Sequence, residues 1–303
     1  MKNDTFPKVS IVITSYNRLG DLKETLIRCK DIKYPNLEII IVDNGSMDGS
    51  SEFVNELKSS EYNKIIIKPN KGSAYAHSAG MKASCGKYVI TIDDDCFLRP
   101  DVVKKTVEIF EYHPNLAGIG YGFLNPNLNF DKELYKKEIN LDATKLDLSS
   151  CYESMVATSG AAFRKSALKK IDYYDLNWYF ITEDVEMVLN LIAHGYNTVQ
   201  LSELTAYHKS SPINRNFDHI LFQGVRGTVM IMFKYYPIYT QMISLFKFLW
   251  WCIYRSFINK KFVYIRAYFM SLEKVNYVYS NRKIIKSSII KSIVKPEKSV
   301  LSM

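Results

Sequence analysis

The chain has 303 residues, 47 % of them hydrophobic. That is enough for one sizeable α/β domain with an appendage, and it excludes an intrinsically disordered chain. The net charge of +9 is unevenly spread. Residues 234–303 hold 13 basic and 2 acidic side chains, a balance of +11, so the first 233 residues sit close to −2. A basic tail on a near-neutral body implies a polyanionic partner, either an anionic membrane surface or a nucleic acid. The five cysteines (Cys29, Cys85, Cys96, Cys151, Cys252) are odd in number and no pair has zinc or redox spacing. They exclude a disulfide framework and read as reduced thiols of a cytosolic protein. The opening apolar run is short, broken by Ser and Thr, and lacks a cleavage site, so no signal peptide is expected.

In chain order, Val9 to Thr14 is a β-branched run that predicts a strand ending at Ser15-Tyr16-Asn17. Asp21 to Lys30 has helical spacing. Glu38 to Val42 predicts a second strand, closed by the turn cluster Asp43-Asn44-Gly45-Ser46, with Asp48 placed to cap the next helix. Lys64 to Lys68 predicts a third strand, Ser73 to Ala83 a small-residue helix, and Tyr88 to Ile92 a fourth strand that stops at Asp93-Asp94-Asp95. Asp101 to Tyr112 is helical again. Residues 120–155 read as irregular loops over a site. Glu183 to Ala193 predicts a helix and Asn197 to Leu201 a strand, and from Asn216 onward long aromatic helices follow. This alternation predicts an α/β fold with a mostly parallel sheet flanked by helices, whose strand carboxyl ends share one edge where ligands sit. The clusters Thr14–Asn17, Asp43–Ser46 and Asp93–Asp95 all fall on that edge. A soft boundary near Ser210 divides the chain into an α/β domain, residues 1–210, and a helical region, residues 211–303.

Several of these residues could carry chemistry. Carboxylates crowded at Asp93-Asp94-Asp95 repel one another unless a cation joins them, and hard oxygen ligands suit Mg²⁺ or Mn²⁺. The same run reads equally as an acidic loop that caps a helix. Asp43 could accept hydrogen bonds from a ribose or a pyrimidine N–H, or form an Asx-turn, or do both. Glu183-Asp184 follows Thr182, which reads as an N-cap; acidic residues suit a first helical turn, yet a held carboxylate there could also serve as a general base. His208 reads as a structural histidine or as an extra ligand beside a carboxylate site. Arg226, inside a helix, reads as a solvated charge or as a cation that neutralises a diphosphate.

In this order, these residues resemble glycosyltransferase family two, the large inverting family with the GT-A fold. The resemblance spans roughly residues 8–235. It rests on Val9 to Arg18, on Ile41-Val42-Asp43-Asn44-Gly45-Ser46, on Asn70-Lys71-Gly72 with Ala79-Gly80, on Asp93-x-Asp95, on Glu183-Asp184 and on Gly195-Tyr196. The segment from Phe222 to Pro237 is similar to members that add rhamnose or related sugars to bacterial surface polysaccharides.

The resemblance implies a nucleotide-sugar donor, UDP- or dTDP-linked, bound by Thr14, Tyr16, Asn17, Arg18, Asp43, Asn70, Lys71, Gly72, Asp93, Asp94 and Arg226. It implies Mn²⁺ or Mg²⁺ on Asp95, Asp93 and His208, Asp184 as catalytic base, and Glu183 and Gly160 on the acceptor side. Two departures stand out. His77-Ser78 occupies the place where many members have Arg-Asn. Gly227 follows Arg226 where processive synthases have Trp, which argues against a processive synthase. The expected acceptor is a glycan or lipid-linked hydroxyl.

Met242 to Tyr254 is too short to span a bilayer, and its mixture of aromatics and cations suits a helix in a membrane interface. The expected location is the cytoplasm, with peripheral attachment to the inner membrane face. A helical hairpin packed on the catalytic domain or on a second subunit is the alternative, so homo-oligomerisation is open. Nucleic acid is not expected as a partner, because three carboxylate clusters on one edge repel phosphate. A nucleotidyltransferase and an inactive homologue acting as an assembly partner are the rival functions. The poor match of Ser15 to Gly20 to a phosphate-cradling loop counts against the first, and the intact set of aspartates against the second.

Overall fold

The structure is a computed structural model that describes residues 6–148, 159–178, 182–209 and 216–293. The expected boundary at Ser210, Cys151, residues 149–155 of the expected loop region and the last basic residues of the tail lie outside the described residues.

The first half alternates as its sequence predicts: β1 (Val9–Ser15), α1 (Leu19–Cys29), β2 (Leu37–Asp43), α2 (Ser50–Glu56), β3 (Asn63–Ile66), α3 (Ser73–Ala83), β4 (Tyr88–Asp93), β5 (Cys96–Leu98) and α4 (Val102–Tyr112). Of residues 120–155, expected to be irregular, the described part, 120–148, is more ordered than that. It includes the end of β6 (Leu116–Leu124), the short helices α5 (Pro126–Asn129) and α6 (Lys132–Lys136), and a 3₁₀ turn at Ala143–Lys145. Then come β7 (Gly160–Arg164), α7 (Lys165–Ile171), α8 (Thr182–Ala193) and β8 (Asn197–His208). The C-terminal helices are α9 (Phe217–Tyr235), α10 (Ile238–Asn259), α11 (Val263–Met270), α12 (Val275–Ser280) and α13 (Ser287–Ile293).

The eight strands form one sheet in the order β3-β2-β1-β4-β7-β6-β8-β5. β3, β2, β1 and β4 are mutually parallel. β7 runs antiparallel to both β4 and β6, and β5 antiparallel to β8, so the sheet is mixed. Period-two alternation sorts the side chains of β1 to two cores. Val9, Ile11 and Ile13 pack toward α1 and α4, and Val12 packs toward α3 on the other face. Gly80 of α3 allows that second contact, because a Cβ there would lie 2.3 Å from Val12 Cγ1.

The helical region is not a separate body. Residues of α9 to α13 share one apolar core with α3, α7 and α8. A buried charge network reinforces that contact. Lys234 Nζ on α9 lies 2.7 Å from Glu186 Oε1 on α8 and 3.1 Å from Asp175 Oδ2. The Tyr235 hydroxyl donates to Glu186 at 2.7 Å, and the Tyr277 hydroxyl on α12 donates to Asp175 at 2.7 Å. Burying these charges is tolerable only because each meets an opposite charge and further hydrogen bonds.

Candidate active site

Strand register sets the site. Ser15 pairs with Asp43, and Thr14 with both Val42 and Asp93, so three polar strand ends lie in one row. Beyond them the chain turns, and side chains of one loop cap the backbone of the next. Asn17, with φ +52°, receives a 2.7 Å hydrogen bond from Met47 N on its Oδ1, and its own N–H donates to Ser46 Oγ. Asp48 accepts from Leu19 N at 2.9 Å as well as from Ser50 N at 3.1 Å, so one carboxylate serves the starts of α1 and α2.

Asp43 is fully buried. Its Oδ2 accepts from Gly45 N, Ser46 N and Ser51 Oγ, so the Asx-turn expected of it forms. Its Oδ1 has no hydrogen-bond partner among the described residues. An orphaned buried carboxylate oxygen is costly and is ready to accept from a ligand. Asn44, expected only as part of its turn cluster, holds the neighbouring loop: its Oδ1 accepts from Lys71 N at 3.0 Å and its Nδ2 donates to Gly72 O at 3.1 Å. Asn70 Oδ1 accepts from Gly72 N. Lys71 is exposed, its ammonium 4.7 Å from the Tyr75 ring centre.

The second patch is built on Asp93-Asp94-Asp95. Only Asp93 is still in the strand; Asp94 and Asp95 form the turn to β5. Asp94 is buried, and its carboxylate accepts from Tyr16 N at 3.2 Å. Burial pushes its carboxyl up to about 7, with Arg18 opposing and Asp93 and Asp95 adding to the rise. Arg18 Nη1 lies 2.8 Å from Asp95 Oδ2, and Asp95 Oδ1 faces His208 Nε2 at 3.1 Å.

This last contact depends on a short strand pairing. β5 runs against β8 with Cys96 opposite His208, and Lys209 N donates to Asp95 O. β8 extends seven residues beyond the strand expected to end at Leu201, and that extension carries His208 to the aspartates.

Ligand atoms of Asp93, Asp95 and His208 all lie within 4.8 Å of one another. Adjacent ligands of an octahedral ion bound at ~2.1 Å stand ~3 Å apart, so the Asp95–His208 spacing fits a shared hard cation. The two carboxylates are hard oxygen donors of the kind Mg²⁺ or Mn²⁺ takes, and the imidazole adds a softer nitrogen.

α8 supplies the third patch. Asp184 is half-buried, and its Oδ1 accepts a 2.8 Å hydrogen bond from the Tyr174 hydroxyl. Glu183 is buried, its Oε2 has no hydrogen-bond partner among the described residues, and burial pushes its carboxyl well above the usual range, with Asp184 and Asp93 adding to the rise. Thr182, expected as the cap of this helix, is its first residue and packs under Gly227 of α9, where a Cβ would lie 1.9 Å from Thr182 Oγ1. Arg226 is next to that contact, half-buried, and makes no hydrogen bond or ion pair among the described residues.

His77 links the second and third patches, and sequence reasoning had noted it only as a departure. It is buried on α3, with Nε2 3.3 Å from Thr14 Oγ1 and 3.7 Å from Asp93 Oδ1. Its ring lies 6.0 Å from that of Tyr174, the residue that holds Asp184. Ser159, also missed, donates to Asp93 Oδ2 at 2.6 Å. Gly160 pairs with Ile92 inside the sheet, where a Cβ would lie 2.8 Å from Phe123 Cε1, so its smallness permits close packing at that point.

The mixed sheet, its carboxylate-rich edge and the C-terminal helical region have the GT-A fold. The sequence profile of glycosyl transferase family 2 matches residues 10–172, and the chain belongs to that family. Among its relatives is the poly-β-1,6-N-acetyl-D-glucosamine synthase of Staphylococcus epidermidis, 27 % identical over 198 residues, which are 62 % of this chain and 46 % of the relative. The chain thus spans about half the length of the relatives it matches. Among solved structures, a mannosyltransferase from Pyrobaculum calidifontis in complex with GDP-Man and Mn²⁺ superposes with a TM-score of 0.57 at 16 % identity, covering 75 % of this chain and 63 % of that one. A fragment of S. aureus TarS in complex with UDP-GlcNAc gives 0.52 at 16 % identity, covering 74 % and 66 %. At these identities the likeness is one of fold.

Proposed function

We propose that this protein transfers a sugar, with inversion, from a UDP- or dTDP-sugar to a hydroxyl of a glycan or lipid-linked acceptor in bacterial surface polysaccharide assembly, working at the cytoplasmic face of the membrane. The observation that carries the reading is the convergence of Asp93, Asp95 and His208 within 4.8 Å at the carboxyl ends of the strands. A cation held there, Mn²⁺ or Mg²⁺, supplies Lewis-acid stabilisation of the diphosphate leaving group.

The residues of the chain do the rest. Asp43 offers its unpartnered oxygen to the N–H of a pyrimidine base. Tyr16, Asn17 and Arg18 line the donor side with the Asn70–Gly72 loop. Arg226, half-buried next to the Gly227–Thr182 contact, offsets phosphate charge. Tyr174 holds Asp184, which accepts the proton of the acceptor hydroxyl as that oxygen attacks the anomeric carbon opposite the leaving diphosphate. Glu183 lies on the acceptor side, buried beside the base, with its carboxyl raised by burial. Gly160 keeps the sheet edge closely packed beneath the acceptor. N-acetylglucosamine is the first donor sugar to test, because it appears in the names of the synthase relatives and of the TarS ligand. Rhamnose is the second, from the resemblance of Phe222 to Pro237.

The test is a thermal-shift series with UDP, dTDP, GDP and CDP, each with and without Mn²⁺. Ligand at a hundred times its Kd stabilises by about 2.7 kcal/mol. A metal-dependent shift with UDP or dTDP that His208→Ala weakens is expected. No shift with any nucleotide would move the inactive-partner reading ahead.

A further inference from the structure

α10 is amphipathic in the wrong direction for a helix that faces water. It has 22 residues, and on its inner side it buries the polar Gln241 and Ser256 together with Phe248 and Cys252. Gln241 is fixed there by the Tyr279 hydroxyl and Arg282. On its outer side Tyr239, Met242, Phe246, Trp250, Tyr254 and Phe257 follow one another at intervals of three and four residues, and each is 58 to 79 % exposed. These spacings put all six on one face of a helix about 33 Å long. A run of large aromatics this long turned to solvent is not the scatter of single apolar residues that a monomer tolerates.

The charges carried by α10 itself are all basic. α10 contains no acidic residue. Lys247 is exposed on the flank of the aromatic row, and Lys260 and Lys261 are exposed where the helix ends, Lys261 paired with Asp218. Phe262, the next residue, is 81 % exposed. Aromatics with lysines beside them match the boundary between acyl chains and anionic headgroups, where ring bodies enter the apolar layer and ammonium groups stay with phosphates. No described helix is long and apolar enough to cross a membrane.

We propose that the outward face of α10 is the element that seats this protein on an anionic bilayer, with the helix axis in the membrane plane. The proposal deepens the membrane part of the functional reading above, and it does not depend on the donor chemistry.

The full chain is floated with vesicles of phosphatidylcholine alone and of phosphatidylcholine mixed with phosphatidylglycerol. Wild type is expected to float with the anionic vesicles and poorly with the neutral ones. The pair Phe246→Ser and Trp250→Ser is expected to lower partitioning roughly tenfold or more, from the apolar area that no longer leaves water. Lys247→Glu with Lys260→Glu is expected to abolish the preference for anionic lipid. All four positions are exposed, so unchanged circular dichroism and melting temperature check that the fold is kept. Failure of wild type to bind anionic vesicles, or binding that neither pair changes, overturns the proposal. So does a dimer in size-exclusion chromatography that the aromatic pair dissolves while vesicles are ignored. Nucleotide-induced thermal shifts are read on the same samples. Their persistence without vesicle binding removes the membrane proposal alone, and their absence in wild type removes the donor reading and leaves the vesicle result standing.

Discussion

Gly227→Ala tests whether the crossing of α8 and α9 positions the proposed base. A Cβ at residue 227 would lie 1.9 Å from Thr182 Oγ1, 2.5 Å from Thr182 Cβ and 2.7 Å from Cγ2. Rotating the threonine side chain moves Oγ1 and Cγ2 but not Cβ, which is fixed to the backbone of α8. Carbon atoms in contact sit about 3.5–4.0 Å apart, so the two helices must separate by roughly 1 Å or more. Overpacking of this kind costs about 1–3 kcal/mol, and the better helix propensity of Ala returns about 1 kcal/mol. The net loss in stability is therefore small, about 0–2 kcal/mol, measured as a shift in the urea midpoint. The effect on transfer is expected to be much larger. Asp184 lies two residues along α8 from Thr182, and a misplacement of about 1 Å can cost about a hundredfold in rate. Steady-state transfer with the donor identified by thermal shift is the assay. Thr182→Ser keeps the fixed Cβ and should not rescue the rate, whereas Thr182→Gly removes it and should. Full activity and stability in Gly227→Ala would refute the close crossing. The same crowding leaves no room at residue 227 for the Trp that was noted after the corresponding Arg in processive synthases.

Two further predictions follow from the charges. Asp184→Asn should lower transfer about 10²–10⁴-fold, as expected for loss of a general base, while nucleotide-induced thermal shifts persist; near-wild-type transfer would remove Asp184 from that role. Lys234→Met should cost about 3–5 kcal/mol near neutral pH, because it strands Glu186 and Asp175 in the core. Glu186 already has its carboxyl raised by burial, with Lys234 opposing, and against the cost of burial the Tyr277 hydroxyl and Lys234 hold Asp175 low. Without the cation both carboxyls rise, so their protonated forms are favoured in the folded state and the deficit is relieved as pH falls. Urea midpoints near neutral and in the mildly acidic range check this, and a deficit that widened on acidification would contradict it.

The parts of the site legible in the sequence were those set by local chain behaviour. An apolar strand that stops abruptly at Asp93 and another that stops at Asp43 advertise a polar edge, and parallel register brings them together. Parts that depend on distant pairings were legible only through the family resemblance, or not at all. The resemblance grouped Asp95 with His208, but the strand pairing that joins them, three-residue β5 against the far end of β8, leaves no visible signal in so short a run. β7 was missed because a strand of Gly and Ala has little β propensity, and its position between β4 and β6 is what makes the sheet mixed. His77 lies in a small-residue helix and gains its meaning only when α3 packs beside Thr14 and Tyr174. In α10 the helix itself was readable, but not its outward face. Apolar residues occupy nearly the whole circumference, and only the packing of Gln241 and Ser256 inward decides which aromatics are left in water.

That packing also bears on how a membrane-bound α10 would act on catalysis. α9 is joined to α8 by the Gly227–Thr182 contact and by the Lys234–Glu186 ion pair. Between α9 and α10 lie only Tyr236 and Pro237, and the junction is braced by Arg282, which donates to Tyr236 O at 2.7 Å and to Gln241 Oε1 at 3.0 Å. A flexible anchor would let the catalytic edge sample every height above a bilayer. With α10 seated as proposed, the chain of short contacts through α9 to α8 would instead hold Asp184 at one height and one tilt. An acceptor carried on a lipid is confined to the same surface, so a fixed mount converts a search in three dimensions into a nearly two-dimensional one and favours the oriented approach that the displacement requires. By the same reasoning, Lys234→Met loosens the mount as well as the core. On a lipid-linked acceptor in vesicles it should lose more activity than on a soluble acceptor of the same sugar, and an equal loss on both would separate the anchor from the chemistry.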